Sequence, residues 1–344
     1  MATVADVAKR AGVSVSTAAR VLSGNGYAAD STRRQVLDAA KELGYVPNQV
    51  ARSLRTRQTR MIGLLIGDVE NSFYSSIAKN VESVTQDAGY HVVLCNSDDD
   101  AESEREHLTL LESMRVDGLI VTPTTKNRRH LARMMHGVPI VQVDRQVEGL
   151  GADAVVVDNE GGAFNAVSHL IDAGHSRIAI LTGELDVATA SQRLAGYRRA
   201  LSEHSIPIQE SLIKSGSFHR EHAIEDATEL IRASPAPTAI FAANNILAEG
   251  TLMALEQQGL RVPSDVSVVG FDDVQWMSMV DPPLTTVRQP LADMARTAAE
   301  LMLRRLREGR EGRPSTVVFE TELVVRDSVA PIRGAKARNT ASVR

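Results

Sequence analysis

The spacing of apolar residues divides the chain into a short helical region followed by a long region of alternating strands and helices. Apolar residues recur at helical spacing in TVADVAKRA and in VSTAARVL, with Gly12 between the two segments. A third helix is predicted over Ser31–Leu43, with Val36, Ala40 and Leu43 facing inward. Two short helices joined through a glycine turn are typical of a helix-turn-helix, and the third completes a small core.

From Met61 onward, near-continuous apolar runs of strand length alternate with helical stretches. The runs are MIGLLIG, HVVLCNS, GLIVTP, IVQVD, AVVVD, RIAILTG, AIFAAN, VSVVGFDD and TTVRQ, and TVVFETELVVRDS supplies closing strands. Such runs are typical of parallel strands covered by helices on both faces. Because this many units exceed one ordinary sheet, we expect an α/β fold of two similar lobes, each a doubly wound parallel sheet. Ligands are expected in the cleft between the lobes, at the carboxyl ends of the strands.

The amino-acid composition restricts the number of domains and the cellular compartment that we expect. A chain of 344 residues exceeds the usual single core, and 43% hydrophobic with 24% charged residues is ordinary for globular domains. The single Cys95 excludes an internal disulfide and suits a reducing cytosol. The first residues, MATVADVAKR, lack a signal-peptide core, and no run of about 18 apolar residues occurs. We therefore expect a cytoplasmic protein without a membrane partner.

Charge is distributed unevenly along the chain. Residues 1–60 hold ten Lys and Arg against four acidic residues, which leaves about +6 there and about −11 in the remainder of a chain with net charge −5. A basic module on an acidic body fits double-stranded DNA as the partner of the module.

The stretch YVPNQVARSLRTRQTR, residues 45–60, joins the two regions. Pro47 and Asn48 are a helix-start signal, and several arginines surround the apolar Leu54. Because a helix of about two turns is unstable alone, this segment is predicted to be helical only when something docks on it.

The second predicted helix has a short polar and basic face. Arg20 has the donors to reach guanine O6 and N7 in the major groove, and Ser16 and Thr17 suit contacts to bases or phosphates. An ordinary helical hairpin is the alternative for any single helix pair. Here the polar face, the basic surplus and the Leu-plus-Arg segment coincide, which favours DNA binding.

The run ATVADVAKRAGVSVSTAARVL, with STRRQVLDAAKELGYVPNQVARSLRTRQTRMIGLLI after it, resembles the LacI/GalR family of bacterial transcription regulators, and the similarity extends to about Asp327. In that family the second helix reads the major groove. A hinge helix folds on operator DNA and inserts its leucine into the minor groove. The resemblance implies these DNA-binding residues: Thr3, Val15, Ser16, Thr17, Arg20, Asn48, Ala51, Arg52, Leu54 and Arg55.

In this comparison Leu54 is the wedge, Arg55 its minor-groove neighbour, and Ala51 is small enough for two hinge helices to approach. The chain departs from the family at Ala18 and Ala19, where Val-Ser is usual, so the reading face lacks a hydroxyl.

Polar and aromatic residues also cluster where the predicted strands end. Planar donors, carboxylates and aromatic faces are what sugar recognition requires. The pattern is similar to that of the ribose-binding-protein relatives of this family's core. It implies these effector-binding residues: Asn71, Phe73, Tyr74, Asp144, Arg145, Arg193, Phe218, Asn244, Asp272 and Gln289.

For each of these residues taken alone, a helix cap or a core position is the alternative. A further departure is Asn245, where the family commonly has Asp; we expect it to keep a helix-capping role.

These observations predict a helix-turn-helix domain over residues 1–46, a hinge helix and linker over 47–60, a two-lobed effector and dimerisation domain over 61–330, and a disordered tail over 331–344. The predicted function is a homodimeric repressor released from operator DNA by a ribose-like aldose, with pairing of dimers left open. No enzyme activity and no cofactor are expected. A metal at His219 and His222 is disfavoured because no third ligand lies nearby. The alternatives are a purine or phosphosugar corepressor, or a sugar-binding receptor without a DNA role.

Overall fold

The structure, a computed structural model, describes residues 2–22, 27–45, 58–309 and 312–332. The chain divides into two compact units, residues 1–59 and residues 60–344, which are described separately. Most of the predicted hinge, residues 47–57, and most of the predicted tail, residues 333–344, lie outside the described residues.

The first unit contains three helices: α1 (Val4–Ala11), α2 (Val15–Leu22) and α3 (Asp30–Glu42). Thr3 caps α1 in a capping box, because its hydroxyl accepts from the Asp6 amide while the Asp6 carboxylate accepts from the Thr3 amide. Gly12 ends α1 in the left-handed conformation at φ 66°, which glycine adopts without strain. Val7, Ala18 and Val36 are fully buried in the core between the helices.

The prediction for the inner face of α3 was partly wrong. Val36 and Ala40 are buried as predicted, but Leu43 is 38% exposed. The helix ends at Glu42 and Leu43 is its C-cap, so the helical spacing no longer directs that side chain inward. Ala39 completes the buried face instead.

The second unit is built from two six-stranded sheets and their covering helices. Its strands are β1 (Met61–Ile66), β2 (His91–Asn96), β3 (Gly118–Val121), β4 (Ile140–Val143), β5 (Asp153–Val157), β6 (Ile178–Thr182), β7 (Ile213–Ser215), β8 (Ala239–Ala242), β9 (Ser267–Asp272), β10 (Thr285–Arg288), β11 (Thr316–Phe319) and β12 (Glu322–Val324). Its helices are α4 (Ser72–Asp87), α5 (Ala101–Ser113), α6 (Arg128–Met134), α7 (Asn159–Asp172), α8 (Ala188–Glu203), α9 (Arg220–Arg232), α10 (Asn245–Gln257) and α11 (Leu291–Glu308).

Each sheet forms the centre of one lobe. The first lobe has strand order β11-β5-β4-β3-β1-β2, all parallel, and the second has β12-β10-β9-β8-β6-β7, with β12 antiparallel to β10. Apolar clusters cover both faces of each sheet, which is why the strands read as continuous apolar runs. The two-lobed α/β prediction is therefore confirmed.

The sequence did not predict β7. This strand is three residues long, lies at the edge of the second sheet, and is only partly buried. A short, polar edge strand gives no apolar run, so the pattern that revealed its neighbours is missing.

The chain passes between the lobes three times. It leaves the first lobe after β5, returns after β10 through α11, and crosses again between β11 and β12. The Asp158 amide donates to the Phe319 carbonyl at 2.9 Å, which ties two of the crossings together. As a result, the carboxyl ends of both sheets face one cleft. None of the described helices is both long and apolar enough to cross a membrane.

The first lobe buries an acidic side chain. Glu104 on α5 is fully buried and accepts from the Thr124 amide at 2.7 Å. Burial raises the pKa of Glu104 from 4.5 to about 7. The raised pKa means that Glu104 binds its proton more tightly in the folded state than in the unfolded chain. The stabilisation from this tighter binding is fully present below about pH 4.5 and is lost as the pH rises through about 7.

We predict that Glu104→Gln reduces the loss of stability on raising the pH. In the natural chain this group should lower the free energy of unfolding by roughly 1 kcal/mol per pH unit between these two values. Urea unfolding at a series of pH values measures the difference between the variant and the natural chain. The exposed Glu106 on the same helix supplies the control variant, Glu106→Gln. A constant difference across the pH range would contradict the prediction.

Candidate functional site

A cavity of about 500 Å³ lies in the cleft between the two lobes. Nine of the ten predicted effector residues line it: Asn71, Phe73, Tyr74, Asp144, Arg145, Arg193, Phe218, Asn244 and Asp272. Eight of them come together because they follow a strand or begin a helix at the carboxyl edge of their sheet, whereas Arg193 reaches the same space from within α8.

In the first lobe, the start of α4 supplies an amide and two rings. The Asn71 side chain caps α4 by accepting from the Phe73 amide at 3.0 Å. Phe73 and Tyr74 are both buried and meet edge to face, with ring centroids 5.0 Å apart. The Tyr74 hydroxyl donates to Asp144 at 3.2 Å, and burial raises the pKa of the Asp144 carboxyl. These contacts fix the orientation of both aromatic rings.

Arg145 forms a bidentate ion pair with Asp99, a residue that the sequence analysis did not identify. Its two terminal nitrogens donate to the Asp99 carboxylate at 2.6 and 2.9 Å. Gly67 makes room for this carboxylate, since a Cβ there would lie 2.5 Å from an Asp99 oxygen. Asp99 therefore fixes the plane of a guanidinium that is 6% exposed.

In the second lobe, the Arg193 guanidinium on α8 contacts four groups. Its Nε donates to Asn159 at 2.8 Å, and Nη1 donates to the Ala243 carbonyl at 2.5 Å. The guanidinium also stacks 3.8 Å from the centre of the Phe271 ring, with Asp272 at 3.8 Å. Burial lowers the pKa of this guanidinium.

The structure does not bring Gln289 to the cavity wall, although the sequence analysis included it among the effector residues. Gln289 follows β10, is buried, and donates from Nε2 to Asp272 at 2.7 Å. It lies behind Asp272, so its visible role is to orient that carboxylate.

Phe218 forms part of the cavity wall contributed by the second lobe. The tip of its ring points at Gly183, where a Cβ would lie 2.2 Å from the ring. The Arg145 guanidinium of the first lobe lies 5.8 Å from the ring centre. Gly183 therefore admits the aromatic ring that faces the opposite lobe.

The expected capping role of Asn245 was wrong. Asn244 caps α10 by accepting from the Leu247 amide at 2.7 Å, and Asn245 is the first residue of the helix. The Asn245 side chain instead forms hydrogen bonds with Asn71 across the cleft.

The cavity lining is strongly acidic. Among the described residues it contains two guanidinium groups and seven carboxylates, namely Asp68, Glu70, Asp98, Asp99, Asp144, Glu184 and Asp272. Five of these acids, Asp68, Glu70, Asp98, Asp99 and Glu184, lie in loops between the helices and strands and were not singled out from the sequence. Their positions beside the cleft depend on how turns distant in sequence come together.

His222 Nδ1 lies 2.5 Å from the Ser217 hydroxyl. Within the described ranges no group of three or more His, Cys, Asp or Glu side chains is placed to hold a metal ion.

The first unit carries the predicted DNA-reading face on α2. Val15, Ser16 and Arg20 are exposed there, whereas Thr17 is half-buried and its hydroxyl lies 2.8 Å from that of Ser14. The Thr3 hydroxyl donates to Asp6 at 2.7 Å as part of the α1 capping box. The predicted hinge contacts Asn48, Ala51, Arg52, Leu54 and Arg55 lie outside the described residues.

Two family models match the chain. Residues 3–48 match the bacterial regulatory proteins of the lacI family, and residues 167–329 match the periplasmic binding protein-like domain. The HTH-type transcriptional repressor PurR of Vibrio campbellii is 35% identical over 331 residues, which span 96% of this chain and 99% of the relative.

Solved structures agree with this assignment. A transcriptional regulator CelR–cellobiose complex is 32% identical with a TM-score of 0.72, covering 95% of this chain and 100% of that chain. The lac repressor dimer bound to operator and the anti-inducer ONPF is 28% identical with a TM-score of 0.84, covering 96% and 99%.

The relatives are transcriptional repressors rather than enzymes. The chain belongs to the LacI family and is a DNA-binding transcriptional repressor.

Proposed function

We propose that the cleft binds a small, uncharged sugar of the ribose-like aldose class, and that binding releases the repressor from its operator. The proposal rests on the acidic cavity of about 500 Å³. Aromatic rings line this cavity, and each of its two guanidinium groups lies beside a carboxylate. Carboxylates accept from sugar hydroxyls, and aromatic rings pack against the C–H face of a sugar.

The charge of the lining argues against a phosphosugar. Both cavity arginines are already engaged, Arg145 by Asp99 and Arg193 by Asn159 and the Ala243 carbonyl. A phosphate group would meet a surplus of carboxylates without a free cationic clamp, and like charges in a partly buried site repel strongly.

A purine effector is the alternative, favoured by the PurR name of the relatives. The solved CelR complex contains cellobiose, which favours a sugar. In this chain Phe73 and Tyr74 meet edge to face, so the two rings do not form a parallel slot for a flat base.

Isothermal titration with ribose, other pentoses, hexoses and purine bases distinguishes the two effector classes. The proposal predicts that at least one free aldose binds and that purine bases do not. Purine binding without binding of any sugar would overturn the sugar assignment.

The proposed assembly on DNA is a homodimer that reads two half-sites through α2. Residues 47–60 are proposed to couple the cleft to the operator. This part of the proposal rests on the sequence, in which Leu54 and its neighbouring arginines suit a helix that folds on the minor groove.

Arg20→Ala should weaken operator binding by about 1–3 kcal/mol and relax specificity at one base pair, because an arginine that reads guanine loses two hydrogen bonds. Fluorescence anisotropy with the operator and with single-base variants measures both effects. Equal weakening on operator and unrelated DNA would instead identify Arg20 as a phosphate contact.

Asp272→Asn should abolish the response to sugar while operator binding persists. The substitution keeps the volume but replaces a buried carboxylate that contacts Gln289 and the Asn245 amide. Operator release by the binding sugar, followed by anisotropy, is the measurement, and the exposed Asp265→Asn is the control. A normal sugar response in Asp272→Asn would show that the effector site lies elsewhere.

Asp99→Asn should reduce sugar affinity by about tenfold, or ~1.4 kcal/mol. The substitution replaces one of the two oxygens that accept from Arg145 by an NH₂ group, so the guanidinium is no longer held in one plane. Asp265→Asn is the control, since Asp265 also accepts from an arginine, Arg261, but lies outside the cavity lining. Titration calorimetry compares the two variants. If both lose affinity equally, Asp99 has no special role in positioning Arg145.

A further inference from the structure

Two buried side-chain amides connect the lobes directly across the cleft. Asn71 Nδ2 donates to Asn245 Oδ1 at 3.2 Å, and Asn245 Nδ2 donates to Asn71 Oδ1 at 2.8 Å. Asn71 belongs to the first lobe and Asn245 to the second. Each residue is at once donor and acceptor, so the pair is a reciprocal hydrogen-bonded bridge.

Each residue is also held within its own lobe. Asn71 Oδ1 accepts from the Phe73 backbone amide as the cap of α4, and the Asn245 backbone amide donates to the Asp272 carboxylate at 3.0 Å. Asn71 is 7% exposed and Asn245 is 2% exposed. The two groups are therefore preorganised to meet when the lobes close.

The pair uses most of the hydrogen-bonding capacity of the Asn71 side chain. Its oxygen accepts two hydrogen bonds and one of its two N–H groups is donated to Asn245. At most one N–H group is left for an effector, which argues against a bidentate role in ligand binding.

Another polar contact across the cleft is much weaker. The Lys126–Asp186 ion pair spans 3.9 Å between side chains that are 63% and 49% exposed. Exposed ion pairs of this kind contribute little to stability. The buried amide pair therefore dominates over this ion pair in holding the lobes together.

We infer that Asn71 and Asn245 form a closure latch, a positioning contact that sets how often the cleft is closed before any effector binds. Opening the lobes exchanges the two hydrogen bonds for bonds to water, so the net preference for closure is modest. A modest preference is still enough to change the closed population several-fold. This inference is independent of which effector binds.

Hydrogen–deuterium exchange of the ligand-free, full-length protein tests the latch. The test variant is Asn245→Ala, which keeps the backbone bond to Asp272 and places a good helix former in α10. The peptide to follow covers residues 71–76 in the opposite lobe, where the Phe73 amide bonds to Asn71. If the Asn245 side chain acted only within the second lobe, its removal would not change exchange in that peptide of the first lobe.

The latch predicts that exchange in residues 71–76 becomes about three- to tenfold faster in Asn245→Ala, while exchange in α7 and α8 stays unchanged. Glu256→Ala is the control, because Glu256 is an exposed residue of α10, the helix that begins with Asn245, and lies outside the followed peptide. Asn245→Ser should reproduce the result of Asn245→Ala. Unchanged exchange in residues 71–76, or an equal increase throughout the second lobe, would overturn the inference.

Discussion

A buried carboxylate requires hydrogen-bond donors or a cation beside it, since an unpaired charge in a protein interior is strongly destabilising. The Asp272 carboxylate meets this requirement by accepting from Gln289 and from the Asn245 amide, with Arg193 at 3.8 Å. Gln289 lies at a crossing between the lobes, and Asn245 begins α10 and forms side-chain hydrogen bonds with Asn71 across the cleft. The charge of one side chain thus organises the second lobe's half of the cleft.

This arrangement follows from the way the chain is threaded. Three crossings join two sheets that are parallel except for β12, so strand ends and helix starts from both sheets face the same space. Polar backbone groups and caps at those ends supply hydrogen-bonding partners without disturbing the apolar cores. The site is consequently formed by both lobes together.

The sequence predicted the parts of this structure that depend on local pattern. Apolar runs identified the parallel strands, and residues that follow those strands, such as Asp144 and Asp272, indeed line the cavity. The features that it did not predict depend on contacts between distant residues. Asp99 became visible through its pairing with Arg145, 46 residues away, and Asn245 through its pairing with Asn71, 174 residues away. Gln289 lies behind Asp272 and not in the cavity lining. The sequence does not predict this, because a residue after a strand can face the cavity or lie behind another side chain with the same spacing.

We propose that an uncharged sugar occupies the cleft and controls the repressor. Native mass spectrometry of the intact protein purified from its own cells, with fragmentation of any retained small molecule, tests this proposal. We expect a retained molecule with the mass and fragments of an unphosphorylated sugar, at one molecule per chain. A retained purine or phosphorylated compound at that stoichiometry would contradict it.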